Sequence, residues 1–537
     1  MADTDVLRET ARAACLRRDW REAYRCLDEA RGCCELDTDE LDALGEAAWW
    51  LGIVKDALCT SEEVFRRLQQ AGSTRRAGMK AVELGLAWIT RGDIAIGSGW
   101  INRAKRILAE VPEGPEHGYL GYLDAMLALE FGDLEPTTVQ APALQQMSSR
   151  YDAPALESLG LVLSGLADLK ECRTVAGFAK LDEAMLPVLA DQVPPLWATD
   201  VYCTVIHACH LLADVRRMRS WTDALERWSA NVPQAVMVTG ICRIHRLQLR
   251  GFDGDFEVVE RLLIEASEAL TDLNGWIAGA GFHQLGDVRR MRGDTDQAMA
   301  AYARARELGI EPQPGEALLQ LAMGKGAAAW TMLRSALDCE DRVGRARLLP
   351  SAVLVALSLD KVDEAETCCQ ELESLAEAYW SPGFRAWARH CRGAVLVTRR
   401  AFDEGLRALQ AAARDYREQQ TRYSLAQVYE WMALAHKGIG DNELADADVA
   451  TALAIYRQLG AEPDVRRLDR SERPGGLTAR EVEILACIAQ GATNKQVAAQ
   501  VFITEKTVGR HLANIYAKLG VSSRTAAVAW ARANALV

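Results

Sequence analysis

Apolar residues recur at three- and four-residue intervals from the start of this chain to about position 460, and strand-like alternation is scarce. That period describes one helix face after another. Alanine, leucine, glutamate and arginine dominate the stretch, and all four suit helix interiors. The segment "MRGDTDQAMAAYARARELG", Met291 to Gly309, shows the repeating unit. A turn at Arg292-Gly293-Asp294 precedes Ala298, Tyr302 and Ala305, and their i, i+4, i+7 spacing puts all three on one face. A small first residue admits a neighbouring helix closely. The next two fill the space between helices.

The same small–large–small pattern recurs as Ala23/Leu27/Ala30, Gly97/Ile101/Ala104, Gly177/Leu181/Ala184 and Val259/Leu263/Ala266. It continues as Ala329/Leu333/Ala336, Ala365/Cys369/Leu372, Gly405/Leu409/Ala412 and Ala445/Val449/Ala452, with weaker copies starting at Ala57, Thr137 and Trp221. The first positions are spaced 31 to 44 residues apart and cluster near 40. Such a period predicts about twelve helical hairpins in tandem, each burying its apolar face only against its neighbours. The pattern resembles tetratricopeptide repeats, best around 291–309 and 397–456, with longer helices. The expected fold class is all-α, with a tandem helical-hairpin solenoid over residues 1–460. Its concave face suits an effector, either a small molecule or a protein; the plainer reading is a spacer.

The stretch "AEPDVRRLDRSERPGG", residues 461–476, carries two prolines, mixed charges and a Gly-Gly end. It reads as a flexible linker. Four short helices are expected in 477–537. Thr478 with Glu481 forms a capping box for the first, whose apolar face holds Val482, Leu485, Ala486 and Ala489. Gly491 closes it, and Thr493 caps "NKQVAAQV". A tight turn at Phe502-Ile503 leads to Thr504, which caps a third helix ending at Gly520. Ser522-Ser523 precede the last helix. Two short helices joined by a tight turn, the second presenting basic residues, describe a helix-turn-helix.

The residues "LTAREVEILACIAQGATNKQVAAQVFITEKTVGRHLANIYAKLGVSSRTAAVAWA" resemble the LuxR/FixJ-type DNA-binding domain nearly end to end. Matching positions include Leu477-Thr478, Arg480-Glu481, Gly491, Asn494-Lys495, Val497-Ala498, Lys506-Thr507-Val508, His511, Lys518-Leu519-Gly520 and Ser523-Arg524. The resemblance implies a bacterial transcription regulator that binds double-stranded DNA as a homodimer, its third helix in the major groove. Within the family the chain is similar to the large maltotriose-responsive activators, which place a helical repeat region directly before this domain. Their ATPase module has no counterpart here.

Helical projection agrees with that orientation. Val508, Leu512, Ile515 and Leu519 fall on one side, whereas Lys506, Arg510, Ala513 and Ala517 fall opposite, with Asn514 on the shoulder. Arg510 suits a guanine edge and Asn514 an adenine edge. Lys495, Thr504, Lys506, Thr507, Lys518 and Arg524 are candidate phosphate contacts, which position without specifying. Gly509 joins the candidate base-reading strip, where the family often has a basic residue. Glycine inside a helix costs about 1 kcal/mol relative to alanine. Two reasons would retain it: close approach to the bases, or a crowded contact with a neighbouring helix.

Net charge is −13, yet Pro474 to Val537 holds seven basic and three acidic residues, a net of +4 that leaves −17 on the preceding 473. This asymmetry suggests a basic binding module on an acidic body. The start "MADTDVLRET" does not resemble a leader, and apolar runs are short. The expectation is a cytoplasmic, nucleoid-associated protein with no membrane partner. The fourteen cysteines are scattered without a C-x-x-C, which argues against a disulfide framework.

Two further stretches carry possible chemistry. Cys203, His207 and His210 share one helix face in "YCTVIHACH", a spacing open to a soft metal ion; a buried helix with satisfied histidines explains it equally, and no metal is assigned. Gly324-Lys325-Gly326 lacks the earlier glycine and the Ser/Thr of a phosphate-binding loop, and reads as an inter-helix turn. No nucleophile–base pair points to an enzyme, and no cofactor is expected. The rival reading is a repeat scaffold whose C-terminal helices bind protein rather than DNA.

Overall fold

The computed structural model describes residues 2–229, 240–339, 341–469, 477, 479–501, 503–534 and 536. Among them are twenty-nine helices and no strand. The first twenty-four pair into twelve hairpins, from Ala2–Leu16 with Trp20–Cys33 to Arg422–Ile439 with Asn442–Leu459. The chain divides into two compact units, Met1–Asp448 and Val449–Val537. No helix among the described residues is long and apolar enough to cross a membrane.

Each hairpin turns through one left-handed residue. These are Arg18, Gly52, Gly92, Gly132, Cys172, Ala213, Gly254, Gly293, Gly324, Asp360, Arg400 and Gly440. In eleven of the twelve, the small first residue of the repeat pattern follows five positions later. The exception corrects one expectation. After Ala213 the fifth residue is Met218, not Trp221, and Met218, Thr222 and Leu225 are buried while Trp221 is half-buried. A large residue stands at the small position there, and the repeat register starts three residues before Trp221.

The small residues sit at helix crossings. A Cβ on Gly177 would meet the carbonyl oxygen of Gly165 at 2.8 Å, and one on Gly97 would meet that of Gly85 at 3.0 Å. A Cβ on Gly165 would in turn meet the Gly177 carbonyl at 2.9 Å, so that crossing needs a glycine on each helix, and the first-helix partners Gly85 and Gly165 lie outside the sequence pattern. Core side chains fill the remaining gaps: Leu27, Leu181, Leu263, Tyr302, Cys369 and Leu409 are all buried. Within the large unit, hairpins four or five apart also touch. Asn274 Nδ2 donates to the Thr90 carbonyl at 2.6 Å, Arg347 Nη1 to that of His210 at 2.8 Å, and Arg422 Nη1 to that of Asp253 at 3.1 Å.

The stretch expected to be a linker begins with a helix, Glu462–Leu468. Pro463 lies in its first turn, where a missing N–H costs nothing. Val465 is buried, and Arg457 pairs with the buried Asp469. Residues 470–476 lie outside the described residues, as do Thr478 and Phe502.

Candidate nucleic-acid interface

The last four helices are Ala479–Ala489, Asn494–Gln500, Glu505–Leu519 and Arg524–Ala533. Their ends are set by short polar side chains. Thr493 accepts from Gln496 N at 3.3 Å while its own N–H donates to Gln496 Oε1 at 2.8 Å, a reciprocal cap. Thr504 Oγ1 accepts from Thr507 N at 3.2 Å, and the two threonine hydroxyls share a bond of 2.7 Å. Gly520 ends the third helix in the left-handed region, at φ 64°. Ser523 caps the fourth.

A small separate core fixes these helices. It contains Leu477, Ile484, Leu485, Ile488, Val497, Val501, Val508, Leu512, Ile515, Ala527 and Ala531. The first helix is rotated from its expected setting: Ile484 and Ile488 join Leu485 inside, while Val482, Ala486 and Ala489 are only half-buried. Leu519 is likewise half-buried. Two long aliphatic side chains displace valine and alanine because they remove more apolar area from water.

The third helix leaves one face free. Glu505, Lys506, Gly509, Arg510, Ala513, Asn514 and Ala517 are exposed. Lys506, Arg510 and Asn514 stand at i, i+4 and i+8, so they lie on one stripe about 12 Å long. That length spans three to four base-pair steps of roughly 3.4 Å. A Cβ built on Gly509 meets nothing within 4 Å. The crowded-contact explanation for this glycine is therefore overturned; the fold has open space there.

The six candidate phosphate contacts fall into two groups in the structure. Lys495 and Lys506 are exposed, with no ion pair to a described carboxylate. Thr504 and Thr507 form the cap just described, at the helix end where backbone N–H groups favour an anion. Lys518 Nζ instead donates to Glu481 Oε2 at 2.6 Å, and Glu481 is buried. Arg524 Nη1 donates to Asn494 Oδ1 at 3.1 Å and Nη2 to the Ala492 carbonyl. Lys518 and Arg524 thus tie the third helix to the first and the fourth to the second. Their partners stand thirty-seven and thirty residues away, beyond the reach of helical periodicity.

The thiol and imidazoles of Cys203, His207 and His210 do not converge on one point. His207 Nδ1 and His245 Nε2 share a hydrogen bond of 3.0 Å, and the His210 ring stacks on His245 at 4.2 Å. Arg347 Nη2 lies 3.1 Å from His210 Nε2. Burial pushes the His207 imidazole down to about 4, and burial beside the Arg347 guanidinium holds His210 well below its ordinary range. Cys203 pairs instead with Cys242. Among the described residues no group of three or more His, Cys, Asp or Glu side chains can hold a metal ion.

Residues 476–531 match the family described as "Bacterial regulatory proteins, luxR family". The end of the chain is accordingly a luxR-family helix-turn-helix domain, following an all-α array of hairpins. The transcriptional regulatory protein LiaR of Bacillus subtilis (strain 168) is 54% identical over 61 residues, covering 11% of this chain and 29% of LiaR. The protein Rv0890c of Mycobacterium tuberculosis (strain ATCC 25618 / H37Rv) is 27% identical over 279 residues. That match covers 48% of this chain and 30% of the relative, so part of it lies in the helical array. The chain spans under a third of the length of these curated relatives. Among solved structures, the APC/C hetero-tetramer Cut9-Hcn1 aligns over 87% of this chain and 96% of that one, at 15% identity and a TM-score of 0.38.

Proposed function

We propose that this protein is a sequence-specific DNA-binding transcription regulator whose third C-terminal helix reads the major groove. One observation carries the reading. An exposed stripe of Lys506, Arg510 and Asn514 borders a glycine with open space above it. Long polar side chains serve groove contacts and a low-profile backbone permits close approach, and folding demands neither at these positions. Arg510 would take a guanine edge and Asn514 an adenine edge. Lys495, Lys506 and the Thr504–Thr507 cap would grip phosphates. Lys518 and Arg524 would act indirectly, by holding the helices in register.

Two half-sites would be bound by a homodimer, since one helix of this length covers only a few base pairs. The hairpin array would bind an effector and adjust that binding. The −17 body supports this role, because a negative charge near DNA opposes association.

Selection of bound duplexes from a random pool by the full chain tests the reading. The expected result is one enriched motif, with half-sites about one helical turn apart. A pool that stays random while still being retained would contradict it.

A further inference from the structure

The array holds a thiol pair that the DNA-binding role leaves unused. Cys242 Sγ donates to Cys203 Sγ at 3.1 Å. The two sulfurs belong to the first helices of consecutive hairpins, Pro195–Leu211 and Gly240–Asp253. Cys203 is half-buried and keeps contact with solvent, whereas Cys242 is 2% exposed. Cys203 is thus the more accessible residue of the two, with Cys242 packed against it.

We propose that Cys203 and Cys242 form a modification site, oxidised by a hydroperoxide to an inter-repeat disulfide. Cys203 is the sulfur that the oxidant meets. Its sulfur attacks the terminal peroxide oxygen, an S–O bond forms, the O–O bond breaks, and water or an alcohol leaves. This gives the sulfenic acid. Cys242 then attacks the Cys203 sulfur, the S–O bond breaks, and water carries off the proton and oxygen. Two thiols are oxidised and one hydroperoxide is reduced, so the electrons balance.

Geometry favours the second step over further oxidation of Cys203. The sulfurs need to close from 3.1 Å to about 2 Å, a shift within reach of side-chain rotation between packed helices. The hydrogen bond to Cys203 and burial both hold the Cys242 thiol well above its ordinary range, which keeps it protonated and leaves the first reaction with the oxidant to Cys203. The nearby His207 and His210 are engaged with His245 and Arg347.

The test treats the reduced full chain with stoichiometric hydrogen peroxide, then maps its cysteines by mass spectrometry after denaturing alkylation. Exposed Cys33, Cys59 and Cys339 serve as internal references for dose. The expected product is a Cys203–Cys242 linked peptide that dithiothreitol reverses. Cys242→Ser should abolish the link and leave a dimedone-reactive sulfenic acid on Cys203. Two results would overturn the proposal: both thiols alkylated at a dose that oxidises Cys33, or Cys203 carried to sulfinic acid with Cys242 still free. Mapping the wild type alone decides between these outcomes, whether or not the variant folds.

Discussion

Gly509 has an exposed Cα in the second turn of a helix, helical backbone angles, and nothing within 4 Å of where a Cβ would stand. Nothing in the fold asks for glycine there. The roughly 1 kcal/mol it forfeits against alanine is then set against approach to DNA. Gly509→Ala should raise the melting temperature, and Gly509→Leu should lower affinity for the selected motif about tenfold, roughly 1.4 kcal/mol. Calorimetry and fluorescence anisotropy measure the two effects. Gly509→Leu binding DNA as tightly as the natural protein would refute the close-approach account. The sequence disclosed which side of this helix is polar, because that depends only on local period. It did not disclose that Lys518 and Arg524 are occupied, since Glu481 and Asn494 arrive through tertiary packing.

Among the elements, two glycines in similar helices should behave oppositely. A Cβ on Gly177 would stand 2.8 Å from a backbone carbonyl, whereas one on Gly99 meets nothing within 4 Å. Gly99→Ala should gain close to the full helix-propensity difference, about 1 kcal/mol. Gly177→Ala gains the same but must force two backbones apart, an overpacking cost of about 1–3 kcal/mol. The net change should therefore be a loss, read as a lower denaturation midpoint; equal gains in both variants would show that the crossings are loose. The repeat was legible because these crossings select small residues at a fixed phase. It faltered at Met218, where bulk replaces the small residue, and at 462–468, where a first-turn proline imitates a helix breaker. The Cys203–Cys242 and His207–His245 pairs were half visible: each has one member in "YCTVIHACH" and the other about forty residues on, in the next hairpin.

For the whole molecule, the proposed regulatory role of the body rests on how charge is distributed. If the −17 array regulates the +4 domain, removing residues 1–470 should change DNA affinity or its dependence on dimerisation, and more so at low salt. Unchanged affinity and assembly across a salt titration would reduce the array to a tether. Whether the third helix reads sequence is decided by a titration on the full chain. Binding of the natural protein and of Arg510→Ala is titrated against the selected motif and against random duplex of equal length. Arg510→Ala should lose about 1–3 kcal/mol on the motif while its affinity for random duplex changes far less. An equal loss on both duplexes would contradict it.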